Sequence, residues 1–395
     1  MNFADNKVLT PFFIIHKDKI DKQVLELKQS LSKKWAKNII GYSFKTNNLP
    51  WLIGYMKSLG LWAEVVSSDE YNLAKSLGYL PERIIFNGPV KGKEEFIDAV
   101  ENNAIVNIDS HRELEWLLDC KSESICNCNI GLRVNFCLEN YCPGETQCGK
   151  EDGRFGFSLE NGELDKAIKF LEENNIPLSG LHLHCSSKTR SLNIYRSITQ
   201  VAANIIKSKK LNLKYIDVGG GFFGGMPEKP SFGDYCDEIY RVLKANNITD
   251  DMIVIVEPGM SIVGACIDYV TSVVDIKHTL NNRFYVLDGS RIHIDPLMKK
   301  SKYKYHIESS CADPVISADD YIFCGFTCME NDRFFSDNKL LSIGDRVVFE
   351  KVGAYTMGLS PQFIEFYPQV YVSNGEKIET ARKKITASEF IKLGE

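Results

Sequence analysis

The sequence lacks a large excess of either charge, long apolar runs and an export signal. Its 47 Lys and Arg residues nearly balance 52 Asp and Glu residues, which gives a net charge of −5 and a pI of about 5.9. Without a basic excess, we expect no nucleic-acid partner. No apolar run reaches the roughly 18 residues of a membrane span, so we expect no membrane partner. The N-terminal stretch lacks the basic start and apolar segment of a signal peptide, which favours a cytoplasmic location.

Cysteine is frequent, with 12 residues, but the pattern indicates neither disulfides nor a metal. Disulfide scaffolds belong to short secreted chains, whereas this chain has 395 residues. We therefore expect reduced thiols that pack in the core or lie at the surface. They include Cys126, Cys128, Cys142 and Cys148. His182 and His184 alternate in HLHCSS, yet no third ligand stands at metal-binding spacing nearby, so we expect no metal site.

Strand-like and helical patterns alternate through the first two-thirds of the sequence. Amphipathic segments with apolar residues every three or four positions separate short β-branched runs. These runs are NIIGYSF, LWAEVVS, RIIFNGP, AIVNIDS, IGLRVN, LSGLHLHC, KYIDVGGG and MIVIVEPG. The alternation predicts parallel β/α units, and eight of them predict a closed (β/α)8 barrel of the α/β class. An open doubly wound sheet is the alternative, but eight successive units favour closure.

The pattern changes near residue 262, where long helical segments end. Strand-like runs follow, namely CIDYVTSVVDI, NRFYVLDG, DYIFCGFTC, GDRVVFEKVGAYTM and PQVYVSNG. We therefore predict a barrel domain over residues 22–261 and a separate β domain over residues 262–395. Near the start, TPFFIIHKDKI also has a strand pattern, and periodicity alone assigns it to neither domain. Residues 136–153 are polar and aperiodic, which predicts a long loop.

Several of the predicted barrel strands end in residues that can take part in catalysis or ligand binding. Active sites of such barrels form at the carboxyl ends of the strands, so these residues are expected to converge on one rim. They are Lys45, Glu64, Arg133, His184, Gly219, Gly220, Gly221, and Glu257 followed by Pro258 and Gly259. Their coincidence, more than any single residue, predicts a site.

Three of these strand ends indicate particular chemistry. A partly buried Lys45 amine can lose its proton and attack an aldehyde, although most lysines are simply solvated. The glycines of DVGGGF leave backbone N–H groups free to approach a phosphate, with a tight turn as the alternative. Glu257 follows the apolar run IVIV, so its carboxylate needs a cationic or protonated partner. A protonated pyridine nitrogen would serve.

With these motifs, the chain resembles the fold-type III pyridoxal-phosphate decarboxylases, which include diaminopimelate and ornithine decarboxylases. YSFKTNN resembles the segment of the Schiff-base lysine, and AEVVSSDE resembles the second-strand motif beside it. HLHCSS is similar to the segment whose second histidine stacks on the cofactor ring. The glycine turn and EPG resemble the phosphate cradle and the acidic partner of the pyridine nitrogen. The resemblance implies a pyridoxal 5'-phosphate site formed by Lys45, Glu64, Arg133, His184, Ser187, Gly219, Gly220, Gly221, Glu257, Gly259 and Tyr355.

The resemblance extends into the β domain. CGFTCMEND resembles the loop that brings a cysteine into the partner subunit's site, which implies that Cys328 acts as a general acid. GDRVVFEKVGAYT implies that Tyr355 reaches the cofactor phosphate. The family's N-terminal strand joins the β domain, so residues 1–21 are expected in its sandwich- or barrel-like fold, beside an alanine racemase-like barrel. A homodimer with shared active sites, and loss of an amino acid's α-carboxylate as CO2, are also implied.

The substrate end of the pattern departs from both familiar enzymes. They place a carboxylate directly after the cysteine to receive a distal amine, whereas this chain has Met329 there and Glu330 one place later. Diaminopimelate enzymes also follow EPG with an arginine, where this chain has Met260. The expected substrate contacts are Arg291, His293, Met329, Glu330 and Tyr355. We expect the substrate to be an amino acid or amino-acid conjugate other than meso-diaminopimelate or ornithine.

Three alternatives remain open from the sequence. Diaminopimelate decarboxylase proper would need Glu330 to replace the missing acid. An alanine racemase-like enzyme shares the barrel, the lysine and the β domain, but would want a tyrosine base in place of the TCMEND loop. A catalytically inactive homologue that binds the cofactor would tend to lose the lysine or the cysteine, and both Lys45 and Cys328 persist.

Overall fold

A computed structural model describes residues 8–125, 127–147, 149, 151, 153–248, 251–309, 315–375 and 377–394. Cys126, Cys148 and residues 1–7 and 395 of the predicted β domain lie outside the described residues. The chain divides into two compact units. The barrel unit comprises Gln23–Ser261, and the β unit comprises the described residues up to Lys22 and from Ile262 onward. Among the described helices, none combines the length and the apolar character that a membrane span requires.

The secondary-structure elements of the described residues are numbered here in chain order. The strands are β1 Phe12–His16, β2 Asn38–Ser43, β3 Trp62–Val65, β4 Ile84–Phe86, β5 Ile105–Ile108, β6 Asn129–Asn135, β7 Phe157–Ser158, β8 Leu178–His182, β9 Tyr215–Asp217, β10 Ile253–Val256, β11 Ile267–His278, β12 Arg283–Leu287, β13 Tyr305–Glu308, β14 Ile316–Cys324, β15 Arg333–Lys339, β16 Arg346–Phe349, β17 Gln369–Ser373 and β18 Ile378–Arg382. The helices are α1 Lys17–Ser32, α2 Pro50–Ser58, α3 Ser68–Ser76, α4 Lys93–Glu101, α5 His111–Trp116, α6 Ser122–Ile125, α7 Glu163–Glu173, α8 Leu192–Ser208, α9 Phe232–Ala245, α10 Met260–Val263 and α11 Ala387–Lys392.

Eight parallel strands close into a barrel, which confirms the predicted fold. Their order is β2, β3, β4, β5, β6, β8, β9 and β10, and β10 pairs with β2 to complete the ring. The eight runs identified in the sequence are these eight strands. The open sheet is therefore excluded. The short strand β7 pairs in parallel with β6 outside the ring.

The barrel strands are buried because helices cover their outer faces. Strand β10 has the sequence IVIV, and such a continuous apolar run is typical of strands that are buried on both faces. Helix α7 shows the complementary pattern, since it buries Leu164, Ala167, Ile168 and Leu171 on one face. This packing leaves the carboxyl ends of the strands as the place where polar side chains gather.

The β unit contains a mixed sheet that includes the N-terminal strand. Strand β1 lies between β11, to which it is antiparallel, and β17, to which it is parallel. The long strand β11 also pairs with β12 and β16. The resemblance therefore assigned the N-terminal strand correctly. Strands β13, β15 and β18 were not predicted, because polar residues interrupt their apolar pattern.

Two local expectations can be compared with the structure. The nine cysteines among the described residues are all free thiols. The loop of residues 136–153 contains one short 3₁₀ segment, Leu138–Asn140, within its described part. This loop is otherwise irregular, as its composition predicts.

Candidate active site

Lys45 lies at the carboxyl end of β2 in the barrel unit. The chain turns there through the 3₁₀ segment Phe44–Thr46, which buries Phe44 and Thr46 and leaves the Lys45 side chain 42% exposed. Its Nζ atom lies 2.9 Å from Oε2 of Glu64, which stands on β3 and is 1% exposed. The structure thus brings together two residues of the predicted site, as an accessible amine beside a buried carboxylate.

Asn87 joins Glu64 to Glu257, and sequence reasoning missed it. Its Nδ2 group donates to Oε1 of Glu64 at 3.0 Å and to Oε1 of Glu257 at 2.5 Å. Ionised carboxylates only accept hydrogen bonds, so the amide must direct its NH2 group toward both. The available signal was its position directly after β4, at the same end of the barrel as the other residues. The NGP sequence, however, also suits an ordinary turn.

Glu257, directly after β10, is the charged member of a buried acid pair. The polar atoms of His182, Asp217 and Glu257 lie within 4.8 Å of one another. Burial and the charge of Glu257 raise the pKa of Asp217 well above its ordinary value, so Asp217 holds a proton. Burial alone would raise the pKa of Glu257, but His182, the hydrogen bond with Asp217 and the charge of Lys45 together lower it. Glu257 is therefore ionised at neutral pH.

Two neutral histidines lie at the end of β8. Nε2 of His182 is 3.4 Å from Oε2 of Glu257. Arg133, on β6, lies within 3.3 Å of both ring nitrogens of His182 and donates to the backbone oxygen of His184 at 2.6 Å. Burial, and then the positive charge of Arg133, lowers the pKa of both histidines, to about 3 for His184. Arg133 therefore supports the two histidines through direct contacts.

His184 packs against the glycine turn that follows β9. Its Nδ1 atom is buried and has no hydrogen-bond partner among the described residues. Gly219 has a φ of +69°, and a Cβ atom there would lie 2.6 Å from Nδ1 and Cβ of His184. A Cβ atom at Gly220 would lie 2.0 Å from the backbone oxygen of Glu257. Only glycine lets the turn approach both residues so closely.

Aromatic side chains hold the glycine turn from behind. The hydroxyl group of Tyr195 donates to the backbone oxygen of Gly220 at 2.8 Å. The ring of Tyr195 stacks on Phe222 with centroids 4.7 Å apart, and Tyr235 packs edge-on at 4.8 Å. Gly259 is similarly constrained, since a Cβ atom there would lie 2.0 Å from Oγ1 of Thr46. The backbone of the turn is therefore held in place by its surroundings.

The predicted loop of residues 136–153 contacts the segment that contains Ser187. Thr146 and Ser187 form an antiparallel bridge. The N–H group of Lys188 donates to the backbone oxygen of Glu145 at 2.8 Å, and the hydroxyl group of Ser191 donates to the Glu145 carboxylate at 2.5 Å. The loop thus orders the chain after His184. Its effect on Ser187 could not be read from its aperiodic sequence.

In the β unit, Cys328 lies on an exposed loop whose backbone is held by Asp332. The Cys328 side chain is exposed, whereas Asp332 is buried. The Asp332 carboxylate accepts from the hydroxyl groups of Ser290 at 2.9 Å and Thr327 at 2.7 Å, and from the N–H group of Arg291 at 2.9 Å. The thiol is therefore accessible on a well-anchored turn.

Tyr355, Met329 and Glu330 lie at or near the surface of the β unit. Tyr355 is 40% exposed and has a φ of +55°, a strained conformation that tends to occur at functional positions. Met329 is partly buried, and Glu330 is 95% exposed with Oε2 2.9 Å from the guanidinium group of Arg333. The predicted roles of Tyr355, Met329 and Glu330 stay predictions.

Arg291 and His293 have partners within the β unit, and their predicted contact with substrate stays a prediction. The Arg291 guanidinium group binds the Asp295 carboxylate at 2.9 and 3.0 Å and also donates to the backbone oxygen of Lys300. His293 is 1% exposed, and its Nδ1 atom lies 2.6 Å from the hydroxyl group of Tyr269. Burial lowers the pKa of His293 to about 4, so it offers no positive charge at neutral pH. The sequence pattern could not reveal these local partners.

Comparison with known proteins gives a consistent picture. Residues 17–264 match the family described as pyridoxal-dependent decarboxylase, pyridoxal binding domain. Diaminopimelate decarboxylase of Helicobacter pylori strain J99 is 29% identical over 367 residues, which cover 90% of this chain and 87% of that protein. The crystal structure of the Helicobacter pylori enzyme complexed with L-lysine has a TM-score of 0.84 at 25% identity, covering 99% of this chain and 98% of its own. That of diaminopimelate decarboxylase from M. jannaschii has a TM-score of 0.86 at 23% identity, covering 98% and 93%, and shows the shared fold.

Proposed function

We propose a decarboxylase function for this chain, which belongs to the pyridoxal-dependent decarboxylase family. Its barrel unit would use Lys45, Glu64 and Glu257 to remove the α-carboxylate of an amino acid or amino-acid conjugate. The cofactor of this family is pyridoxal 5'-phosphate, and the reaction is the cleavage of a carbon–carbon bond. One observation carries the residue assignment. The Lys45 amine, the Glu64 carboxylate and the ionised Glu257 carboxylate are linked in one hydrogen-bonded arrangement through Asn87.

The residues of the barrel unit fit this cofactor. The turn at Gly219 and Gly221 has positive φ angles, and a side chain at Gly219 would collide with the ring of His184. The buried Nδ1 atom of His184 has no partner among the described residues. An ionised carboxylate at Glu257 suits a protonated pyridine nitrogen. An amine, a flat neutral ring, a glycine turn and a buried anion are thus available at one end of the barrel.

The candidate-site residues of the barrel unit have distinct proposed roles. When bound, pyridoxal phosphate supplies an electron sink for the bond that breaks on loss of CO2. Lys45 would bind the cofactor aldehyde covalently through its amine. Glu257 would hold a proton on the ring nitrogen by its negative charge. His184 would pack its neutral ring on the cofactor face, and the glycine turn, with Ser187 and Gly259, would direct backbone N–H groups to the phosphate.

The β unit would supply the remaining groups from a second copy of the chain. Cys328 would donate a proton to the reacting carbon as a general acid, and Tyr355 would bind the cofactor phosphate. The segment after Tyr355 exposes Leu359, Phe363 and Ile364. Exposed apolar side chains are common at protein interfaces, and we propose that these three lie at the interface of a homodimer. The cytoplasmic location stays a prediction.

The substrate is proposed to lack a simple distal amine. A site that desolvates an ammonium group must offer it a carboxylate, and Met329 cannot. Glu330 follows Met329 in the sequence, but its carboxylate pairs with the guanidinium group of Arg333 instead. A missing charge-assisted hydrogen bond costs about 1.5–3 kcal/mol, roughly one to two powers of ten in discrimination. A distal carboxylate, amide or carrier-linked group avoids this cost.

Diaminopimelate is the second candidate, because the relatives compared above act on it by name. Glu330 would then have to leave Arg333 and reach the distal end of the substrate. A racemase is not favoured, since the family match is to decarboxylases.

Covalent mapping tests the proposed role of Lys45. Borohydride treatment of the purified holoprotein should abolish the long-wavelength band of the cofactor and fix the label on Lys45. A label on any other lysine would refute the assignment.

A substrate panel then tests specificity. CO2 release should be at least about tenfold more efficient for an amino acid with a distal carboxylate, amide or conjugated group than for meso-diaminopimelate, ornithine or lysine. High catalytic efficiency with diaminopimelate would favour the second candidate.

A further inference from the structure

Asn87 occupies the centre of the buried polar network of the barrel unit. Its Nδ2 group donates to Glu64 and Glu257, as described above. Its Oδ1 atom accepts from Nδ2 of Asn107 at 2.8 Å, and Oδ1 of Asn107 accepts from the hydroxyl group of Tyr215, also at 2.8 Å. All five side chains are buried. The hydrogen bonds of both amide groups run in one direction. In each bond, the donor lies on the side of Tyr215, and the acceptor lies on the side of the two carboxylates.

This direction is imposed by chemistry. Glu64 and Glu257 offer only acceptors when ionised, so Asn87 must present its NH2 group to them. That leaves Oδ1 to accept, which fixes the orientation of Asn107 and of the Tyr215 hydroxyl group. Tyr215 can lie inside the barrel because Gly131 and Gly180 face it. A Cβ atom at either glycine would lie 2.2 Å from the tyrosine side chain.

The Glu64 and Glu257 carboxylates accept from the same NH2 group, so they lie close together. Negative charges in a buried site repel each other, and a hydrogen-bond donor shared by both carboxylates offsets that repulsion. Among the described residues, the charged or titratable groups near these two carboxylates include Lys45, Glu70, Lys91, Glu113, Arg133, His182, His184, Tyr215 and Asp217. Asn87 is a neutral side chain that contacts both carboxylates at once.

We infer that Asn87 is a positioning residue that holds the Glu64 and Glu257 carboxylates side by side, so that one carboxylate serves the Lys45 amine and the other serves the cofactor ring nitrogen. The inference rests on the proposed function for the identity of the cofactor, but the bridge itself rests on the hydrogen bonds alone. Asn87 acts through the two acids. It has no proposed contact of its own with the substrate.

Two substitutions separate the electrostatic role from simple packing. Asn87→Asp keeps the size of the side chain but adds a third negative charge beside the two acids. Asn87→Leu keeps the branched shape of the side chain, although leucine is larger, and removes the bridge without adding charge. Asn161→Asp is the matched control, because Asn161 is exposed and its Oδ1 atom accepts from the N–H group of Glu163, a role that aspartate can also fill.

The first measurement is the dissociation constant of pyridoxal phosphate for the full chain at about pH 8.5 and about pH 5.5. We expect Asn87→Asp to weaken binding at least about tenfold at the higher pH, with a smaller difference at the lower pH, because a proton then relieves the repulsion. Asn87→Leu should weaken binding by a similar factor at both pH values. Asn161→Asp should match the parent. Parental binding by Asn87→Asp at both pH values, or by Asn87→Leu at either, would overturn the inference.

The second measurement needs no cofactor and is the urea midpoint of unfolding at the same two pH values. The folded state raises the pKa of the new carboxyl group above its unfolded value, so the stability deficit of Asn87→Asp should grow as the pH rises. Folding of this variant only at the lower pH would also support the inference. A deficit of equal size at both pH values would contradict it. If the parent carried no cofactor on Lys45, the proposed function would fail, while these midpoints would still test the bridge.

Discussion

The barrel unit buries the two acids and the bridging amide of its candidate site, whereas the β unit exposes the Cys328 thiol. Glu64, Asn87 and Glu257 are buried, and Asn87 donates hydrogen bonds to both acids. Cys328 is exposed, and its loop is anchored by the buried carboxylate of the neighbouring Asp332. The barrel unit thus groups the Lys45 amine, two carboxylates and an amide at one end of its strands. The exposed thiol is instead suited to a proton-transfer role in which it must meet another molecule.

This difference implies two kinds of sensitivity. Removing one buried group from the barrel unit leaves its partner unsatisfied in a medium where that is costly, so stability and cofactor binding should suffer together. Changing an exposed group of the β unit leaves no such orphan, so activity should fall while the fold persists. The predictions below test this contrast, from the largest expected effect to the smallest.

The strongest test combines one substitution from each unit. Lys45→Ala and Cys328→Ala should each reduce decarboxylation by at least about three powers of ten, because each removes a group proposed to act on the reacting atoms. If two chains share each site, mixing the inactive proteins should restore activity. Random exchange makes half of the dimers hybrid, each with one intact site, so about a quarter of the parental activity is expected.

The control for this experiment is the double variant Lys45→Ala with Cys328→Ala. Mixed with either single variant, it should restore nothing, because no hybrid site then contains both groups. Absence of recovery with the two single variants, despite demonstrated subunit exchange, would mean that each site is built within one chain.

Sequence reasoning was most successful where local pattern and geometry coincide. Lys45, Glu64, His184 and Glu257 were identified because each lies at the carboxyl end of a run with strand periodicity, and barrel strands bring those ends together. Asn87 escaped notice because an amide before glycine and proline is ordinary in a turn. Its importance depends on two acids from distant parts of the chain, which only the closed barrel brings within reach.

The β unit was harder to predict for a related reason. The resemblance indicated Cys328 and Tyr355, whereas Arg291 and His293 were predicted to contact substrate from a region where the family pattern has no clear match. Arg291 pairs with Asp295 four residues later, and the ring of His293 is buried beside Tyr269. Sequence spacing alone does not reveal these partners, because packing of the mixed sheet brings them together.

Lys91 tests the cost of an orphaned charge in the barrel unit. Its ammonium group is buried and donates to the Glu113 carboxylate at 2.8 Å and to the backbone oxygens of Gly88 at 2.8 Å and Asn107 at 3.1 Å. Lys91→Met should lower the free energy of unfolding by about 3–5 kcal/mol, because the buried Glu113 carboxyl group would lose its cationic partner. Urea unfolding of the purified variant measures this change.

Lys93 provides the matched control two residues later. It is exposed and pairs with Asp119 at 2.8 Å, so Lys93→Met should cost less than about 1 kcal/mol. Equal losses in the two variants would remove the contrast between buried and exposed charges.

Asp332 tests the anchoring of the cysteine loop in the β unit. Asp332→Asn should reduce kcat by about ten- to a hundredfold, because an amide has one acceptor oxygen where the carboxylate uses two for Ser290, Thr327 and Arg291. The cofactor band should survive, since the barrel residues are unchanged. Kinetics of the best substrate, together with the absorbance spectrum, measure both effects.

Asp319→Asn is the control for this prediction. Asp319 lies on β14 and pairs at the surface with Arg283 at 2.8 Å, so its loss should leave kcat near the parental value. An unchanged kcat in Asp332→Asn would show that the loop does not depend on this carboxylate.

Glu70 sharpens the comparison at the edge of the barrel network, where burial is incomplete. Burial raises the pKa of Glu70 to about 7, although the N–H group of Val66 donates to its carboxylate at 2.9 Å. Because the folded pKa lies above the unfolded value, the ionised side chain destabilises the fold as the pH rises from about 4.5 to about 7. Glu70→Gln retains an acceptor oxygen for Val66 and removes the charge. The free energy of unfolding of Glu70→Gln should rise by about 1–2 kcal/mol at pH 8, as measured by urea unfolding. This is less than the full pKa shift implies, because solvent screens a partly exposed group, and no gain is expected near pH 4.5.

Glu94→Gln is the control. Glu94 lies in the first turn of α4, as Glu70 lies in the first turn of α3, but Glu94 is exposed. A gain for Glu70→Gln that did not change with pH, or that Glu94→Gln reproduced, would assign the effect to the helix terminus and not to burial beside the candidate site.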